Sequence, residues 1–132
     1  MARKIDLMGM GINPLQARRM ATDPQPFTSS GATKASAPVL GGDQYFVFVN
    51  ASNSGSGLAL PPVGGDNGAL LGDDYIIHNF LSATIQVYGP TGSTIFVSGV
   101  SASASAGVSI QPAFTATFWP ATASTFLGLV SA

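Results

Sequence analysis

From Tyr45 onward the chain falls into short apolar runs separated by turn-forming residues. Tyr45-Phe46-Val47-Phe48-Val49 is aromatic and β-branched, which suits a pleated, half-buried surface. Asn50 to Gly57 reads as a loop by composition, and Leu58-Ala59-Leu60 as a short strand closed by Pro61-Pro62. Gly64 to Asp74 is glycine-rich turn material around Asp66-Asn67-Gly68. Tyr75 to Phe80 and Thr84 to Tyr88 are expected to pair across Leu81-Ser82-Ala83. Gly89-Pro90-Thr91-Gly92 is a turn, and Thr94 to Val97 the next strand.

Between Val100 and Ile110 the alternation is nearly unbroken. Val100, Ala102, Ala104, Ala106, Val108 and Ile110 share one phase, with Ser101, Ser103, Ser105 and Ser109 on the other. A period of two marks a strand with one apolar and one polar face. Ala and Ser are poor β formers, so part of the run is open to a loop reading. Its small side chains permit close backbone approach, which could serve a crowded symmetry axis. Phe114, Ala116 and Phe118 then oppose Thr115, Thr117 and Trp119 before Pro120, and Thr125 to Val130 makes the last strand. The pattern predicts an all-β fold, an antiparallel β-sandwich or barrel of about eight short strands.

The first part of the chain has another character. Asn13-Pro14 joins a good helix cap to a residue pre-set for a first helical turn, so a short helix is expected around residues 14–20. Asp23-Pro24 and Pro26 stop it. So short a helix needs a surface to lie on, and Met8, Met10, Ile12, Leu15 and Met20 offer adaptable apolar contacts. Thr28 to Ser36 is small and polar and reads as a linker. The division expected is an extended arm over residues 1–35 and a β domain over 36–132.

Charge changes the picture more than length does. Only 8% of the 132 residues are charged, against about 25% in typical soluble domains. Glu is absent, and no Asp, Glu, Lys or Arg occurs from Tyr75 to Ala132. Such a surface is either built from neutral polar groups or covered by neighbours, since charge is depleted at the centre of protein interfaces. Arg3, Lys4, Arg18 and Arg19 concentrate the bases in the arm. Without interleaved aromatics they are a weak nucleic-acid signal, and no nucleic-acid partner is expected. No run is long and apolar enough for a transmembrane helix, so no membrane partner is expected either. The chain has no cysteine, which removes disulfides, thiolate metal sites and cysteine nucleophiles.

Little in the sequence carries chemistry. His78 is the single histidine, within Ile76-Ile77-His78-Asn79-Phe80, and reads as a structural or interface residue. A Ser-His-Asp triad is assembled in space and is not testable by counting. Gly55-Ser56-Gly57 lacks the strand-to-helix setting of a nucleophile elbow. Asp66, Asn67, Asp73 and Asp74 could bind calcium through oxygen, but their spacing misses the EF-hand loop and turn chemistry explains them. Tyr45, Tyr88 and Trp119 are candidates for stacking on sugars, though such residues more often fill a core or an interface. No catalytic residue, cofactor or metal is expected.

Three stretches resemble small structural proteins of tailed bacteriophages. They are Ile5-Asp6-Leu7-Met8-Gly9-Met10-Gly11 with Asn13-Pro14-Leu15-Gln16-Ala17; Leu58-Ala59-Leu60-Pro61 with Ile85-Gln86-Val87-Tyr88-Gly89-Pro90-Thr91-Gly92-Ser93-Thr94-Ile95; and Phe114 to Trp119 with Leu127-Gly128-Leu129-Val130-Ser131-Ala132. Where that pattern often has a second proline after Tyr, this chain has Gly89, which leaves the turn intact. The resemblance implies a virion protein displayed in many copies on the capsid surface, a homotrimeric decoration or head-fibre protein with no catalytic residues. Its partners would be itself and the major capsid protein or another virion protein. The docking arm would use Arg3, Lys4, Met8, Met10, Ile12, Leu15, Arg18 and Arg19. The alternatives are a tail-fibre or tail-adaptor module with the same arm and, from another class, a carbohydrate-binding β module.

Overall fold

The structure is a computed structural model that describes residues 24–53, 55–65, 68–97, 100–103 and 106–131. The expected helix around 14–20 and the docking residues Arg3 to Arg19 lie outside the described residues. Ten strands are present among those described: β1 (Gln25–Ser30), β2 (Phe46–Asn53), β3 (Gly57–Ala59), β4 (Tyr75–Asn79), β5 (Ile85–Tyr88), β6 (Thr94–Val97), β7 (Val100–Ser103), β8 (Val108–Ile110), β9 (Thr115–Thr122) and β10 (Thr125–Ser131). One 3-10 turn spans Lys34–Ser36. The all-β expectation holds, with two sheets: a seven-stranded one in the order β1-β2-β4-β9-β10-β6-β7, and a three-stranded one, β3-β5-β8.

The sheets are mixed and not antiparallel as expected. β1 runs parallel to β2, β2 to β4, β6 to β10, and β3 to β5. The reason is the route of the chain. After β2 it crosses to β3 in the smaller sheet, returns to β4, crosses again to β5 and returns to β6. Such excursions are long enough for the crossover that parallel neighbours require. They also separate β4 from β5, which the sequence pairs: β4 lies between β2 and β9, and β5 between β3 and β8. Alternation of side chains reports which face a residue takes and not the direction of its neighbour.

The same route divides the Val100–Ile110 run. Its first part is β7, at an edge of the large sheet, and its last part is β8, in the small one. Gly107 turns between them with a positive φ of 73°. The Ala-Ser segment is therefore not one continuous strand.

Two boundaries also move. β2 continues through Asn53, beyond the loop expected from Asn50. Its register with β1 slips past Asn50, and residues 50–53 are exposed because only β1 accompanies them there. Without a core to face, they need no apolar side chains. β1 in turn occupies Gln25–Ser30, inside the expected arm and linker, so the sheet begins well before residue 36.

A single buried cluster joins the sheets. Val47, Val49, Tyr75, Ile77, Ile95, Phe118 and Phe126 of the large sheet meet Leu58, Ile85, Val87 and Ile110 of the small one. Burying a side chain of this size contributes about 1.5–3 kcal/mol, so this cluster is the main source of stability in a chain that has no cysteine for a disulfide. A second small cluster of Ala37, Ala59 and Tyr88 covers the far side of the small sheet. There the Tyr88 hydroxyl donates to the Ala32 carbonyl at 3.2 Å, and residues 38–40 pair along β3.

Candidate interaction face

The outward side of the seven-stranded sheet follows from register. Val47, Ile77, Ala116 and Phe118 point to the core, so their neighbours in sequence point away. One row across the strands is Phe46, Ile76, Thr117 and Leu129; the next is Phe48, His78, Thr115 and Ser131. On the other side of the first row, Trp119 pairs with Leu127 and Leu127 with Phe96. These outward strand positions carry no charged side chain.

The face is also poorly covered. Phe80 is 64% exposed, Leu129 60% and Phe96 43%, with Phe46, Phe48, Ile76, Trp119 and Leu127 half-buried. Scattered surface hydrophobics are normal, but a contiguous apolar patch marks a contact surface. The small sheet differs, since residues of the β1–β2 connection lie over its far side.

His78 sits within this face. Its Nδ1 lies 2.7 Å from the Thr115 hydroxyl on β9, and its ring meets Phe80 edge-on with centroids 4.4 Å apart. Phe80 in turn packs edge-to-face on Phe48 at 5.7 Å. An imidazole beside a hydroxyl is one half of an acyl-transfer site; the other half is a group that orients the base and donors for an oxyanion. Here the neighbour on the imidazole's flank is the Phe80 ring. The arrangement aligns aromatic surface with one polar contact inside it.

No known protein family, curated protein or solved structure matches the chain.

The other candidate residues are placed as follows. Tyr45 and Tyr88 are 5% exposed, so of the two readings open to them they take the core one and are not available to stack on sugars. Tyr45 packs against Tyr75 with centroids 5.5 Å apart, and the Tyr75 hydroxyl donates to the Gly42 carbonyl at 2.8 Å. Trp119 alone of the three reaches the surface, on the outward face of β9. Asp73 is buried, and its carboxylate accepts from the Leu70 backbone N–H at 2.9 Å and from the Tyr45 hydroxyl at 3.5 Å. It fastens the turn before β4. Asp74 is exposed, while Asp66 and Asn67 lie outside the described residues. Among the described residues no group of His, Asp or Glu could hold a metal ion, and no helix is long and apolar enough to cross a membrane.

The apolar face is what sequence reasoning missed. Its signal is present in β2 and β4, where Phe46-Val47-Phe48-Val49 and Tyr75-Ile76-Ile77 are apolar in both phases. A strand that reads apolar throughout has both faces covered. The core covers one; nothing among the described residues covers the other.

Proposed function

We propose that this chain is a non-enzymatic virion structural protein, a homotrimeric capsid decoration protein held to the shell by its N-terminal arm. The observation that carries the reading is the uncharged, aromatic outer face of the seven-stranded sheet. A face of that composition suits permanent contact with protein and not exposure to water. The arm, with Arg3, Lys4, Met8, Met10, Ile12, Leu15, Arg18 and Arg19, supplies the second half of the reading. Three arms on one trimer engage three sites together, and avidity then retains a ligand whose single contacts are weak.

The two sheets over one core support the sandwich form of the fold, in mixed and not antiparallel style. A tail-fibre or tail-adaptor module would use the same arm and domain and differs only in place and copy number. The carbohydrate-binding reading loses two of its three aromatics to the core.

Two measurements test the proposal. Sedimentation equilibrium of the isolated protein is expected to give a trimer at micromolar concentration, and a stable monomer would remove the reading. Antibody labelling of particles that carry the protein is expected to decorate the head in many copies. Labelling confined to the tail vertex would replace decoration by the tail module.

A further inference from the structure

The N-terminal arm joins the domain at one end of the outward apolar face. β1 is the edge strand, and Gln25 is registered on Val47, so the chain enters the sheet one residue earlier, beside Phe46. Phe46 begins the outward row that continues through Ile76 and Thr117 to Leu129. Residues 1–23 are therefore tethered where that row starts.

The arm also carries a stretch whose chemistry matches the face. From Leu7 to Ala17 it has no charged residue; Asp6 precedes the stretch and Arg18-Arg19 follow it. Met8, Met10 and Ile12 alternate with Gly9 and Gly11, so an extended chain there shows apolar side chains on one side and none on the other. All four methionines of the protein, Met1, Met8, Met10 and Met20, precede the domain, while Phe46, Phe48, Phe80, Phe96 and Trp119 stand on the face.

We propose that Leu7–Leu15 of the arm lies across the outward face of its own domain's large sheet, with Met8, Met10 and Ile12 against the aromatic rings.

Reach, tethering and chemistry select this occupant. β9 lies three strands from β1, or about 14 Å at about 4.8 Å per spacing. Residues 14–23 span about 33 Å when extended, and about 20 Å with a helix over 14–20. Either form brings Met8 to Ile12 to the middle strands. A segment on a short tether meets its site at an effective concentration on the order of millimolar, against which a separate chain at lower concentration competes poorly. Thioethers adapt to irregular surfaces and make favourable sulfur–ring contacts. The charges fall at the ends of the stretch, so covering the face desolvates none of them. The polar pair within the face, His78 Nδ1 and the Thr115 hydroxyl at 2.7 Å, is already mutually satisfied and tolerates an apolar cover.

Attachment to a shell then becomes an exchange, in which the side chains that cover the sheet in the free protein pass to the surface below. That step rests on the decoration reading above; the cover itself does not.

Two residue counts make the test simple, since the chain has one tryptophan, Trp119 on the face, and no cysteine. In the full-length protein, free of particles, benzophenone maleimide is coupled to Met10→Cys and illuminated. The label is expected to join the outward face of the large sheet in the same chain, read as a band of monomer mass on a denaturing gel and mapped by peptide mass spectrometry. Met10→Asp with Ile12→Asp, in an otherwise unaltered full chain, is expected to shift Trp119 emission to longer wavelength and to raise its quenching by acrylamide. Crosslinks to the sheet of a neighbouring copy would mean an exchanged arm and overturn the cover by the chain's own segment. Crosslinks that miss the face, or Trp119 emission and quenching unchanged in the double variant, would overturn it as well. No particle enters these measurements, so a protein that passes them and still leaves heads bare loses the decoration reading and keeps this inference.

Discussion

The side-chain amide of Asn79, at the end of β4, donates to the carbonyl of Ile110 in β8 at 2.9 Å and so fastens the large sheet to the small one. The same nitrogen donates to Ala83 at 2.9 Å, and the side-chain oxygen accepts from the Leu81 N–H at 2.9 Å. Asn79 is fully buried. Its backbone completes the knot, donating to Phe114 at 3.0 Å and accepting from Ala113 at 2.9 Å.

Asn79→Leu should therefore be among the more damaging substitutions in the domain. It strands two carbonyls and one N–H, and each buried polar group left unpartnered costs about 1–3 kcal/mol. A loss of about 3 kcal/mol or more is expected in urea unfolding at fixed protein concentration. Asn79→Asp should fare no better, because a carboxylate would face two carbonyl oxygens. A midpoint within error of wild type for both variants would contradict this account.

Ala113 carries a positive φ of 68° in the turn Gln111-Pro112-Ala113-Phe114, which the Phe114 N–H closes onto the Gln111 carbonyl at 3.0 Å. Proline before a left-handed residue is the pattern of a type II turn, where glycine is favoured. The left-handed conformation costs a residue with a Cβ about 1–2 kcal/mol, and glycine returns part of that in the unfolded chain. Ala113→Gly is expected to raise stability by up to about 1 kcal/mol, and Ala113→Val to lower it. Thermal melts of the two variants should move in opposite directions.

Gly128 is the close-packed position of β10. A Cβ there would stand 2.8 Å from the ring of Phe118, which is fully buried and has little room to yield. Gly128→Val should destabilise by about 1–3 kcal/mol, as overpacking does. Adding Phe118→Leu to it should recover part of the loss, since the two share one space; additive effects in that double-mutant cycle would argue against the clash.

The place of β1 sets where the arm can be cut. Deleting residues 1–23 should leave the domain folded and abolish attachment to particles. Deleting residues 1–33 should also unfold or aggregate it, by removing β1 from the edge of the sheet and the Ala32 carbonyl from Tyr88. Circular dichroism and particle pull-down of the two truncations separate the effects. Full attachment by the shorter truncation would exclude the arm as anchor.

Within the arm, apolar contacts should outweigh charge. Exposed ion pairs contribute about 0–1 kcal/mol and weaken with salt, whereas a buried leucine contributes about 1.5–3 kcal/mol and does not. Leu15→Ala should weaken particle binding more than Arg18→Ala at physiological ionic strength. Release of the protein by moderate salt, with Leu15→Ala neutral, would make the arm an electrostatic tether.

The legible part of the fold was the part that faces the core. Leu58 to Leu60, Tyr75 to Phe80, Thr84 to Tyr88, Thr94 to Val97 and Thr125 to Val130 all fall close to observed strands, because burial on one side imposes its period on the sequence. Direction and partner were not legible. Ile77 reads as inward whether its neighbour is β5 or β9, and only the long return through β3 decides it. β1 was missed because Thr28-Ser29-Ser30 packs through hydroxyls and backbone: Ser29, though buried, reaches the Ala51 and Gly55 carbonyls at 3.4 Å. Asn50 to Asn53 was missed because that end of β2 is exposed, paired with β1 alone, and no burial imposes an apolar period on it. The outer face escaped notice because Phe46, Ile76 and Leu129 come together only through register, across strands far apart in the chain.

The parallel pairing of β1 with β2 has a mechanical side. The chain between the arm and the rest of the domain enters the fold as β1, lying lengthwise along its neighbour from Gln25 to Ser30. A tug on the arm along that axis loads the rungs of the ladder all at once, in shear, instead of peeling them off singly from one end. Backbone bonds that each hold weakly then resist as a group, and the tether fails only when the whole strand slides. On the proposed decoration role, a connection of this kind would keep the domain seated when the surface beneath it moves outward.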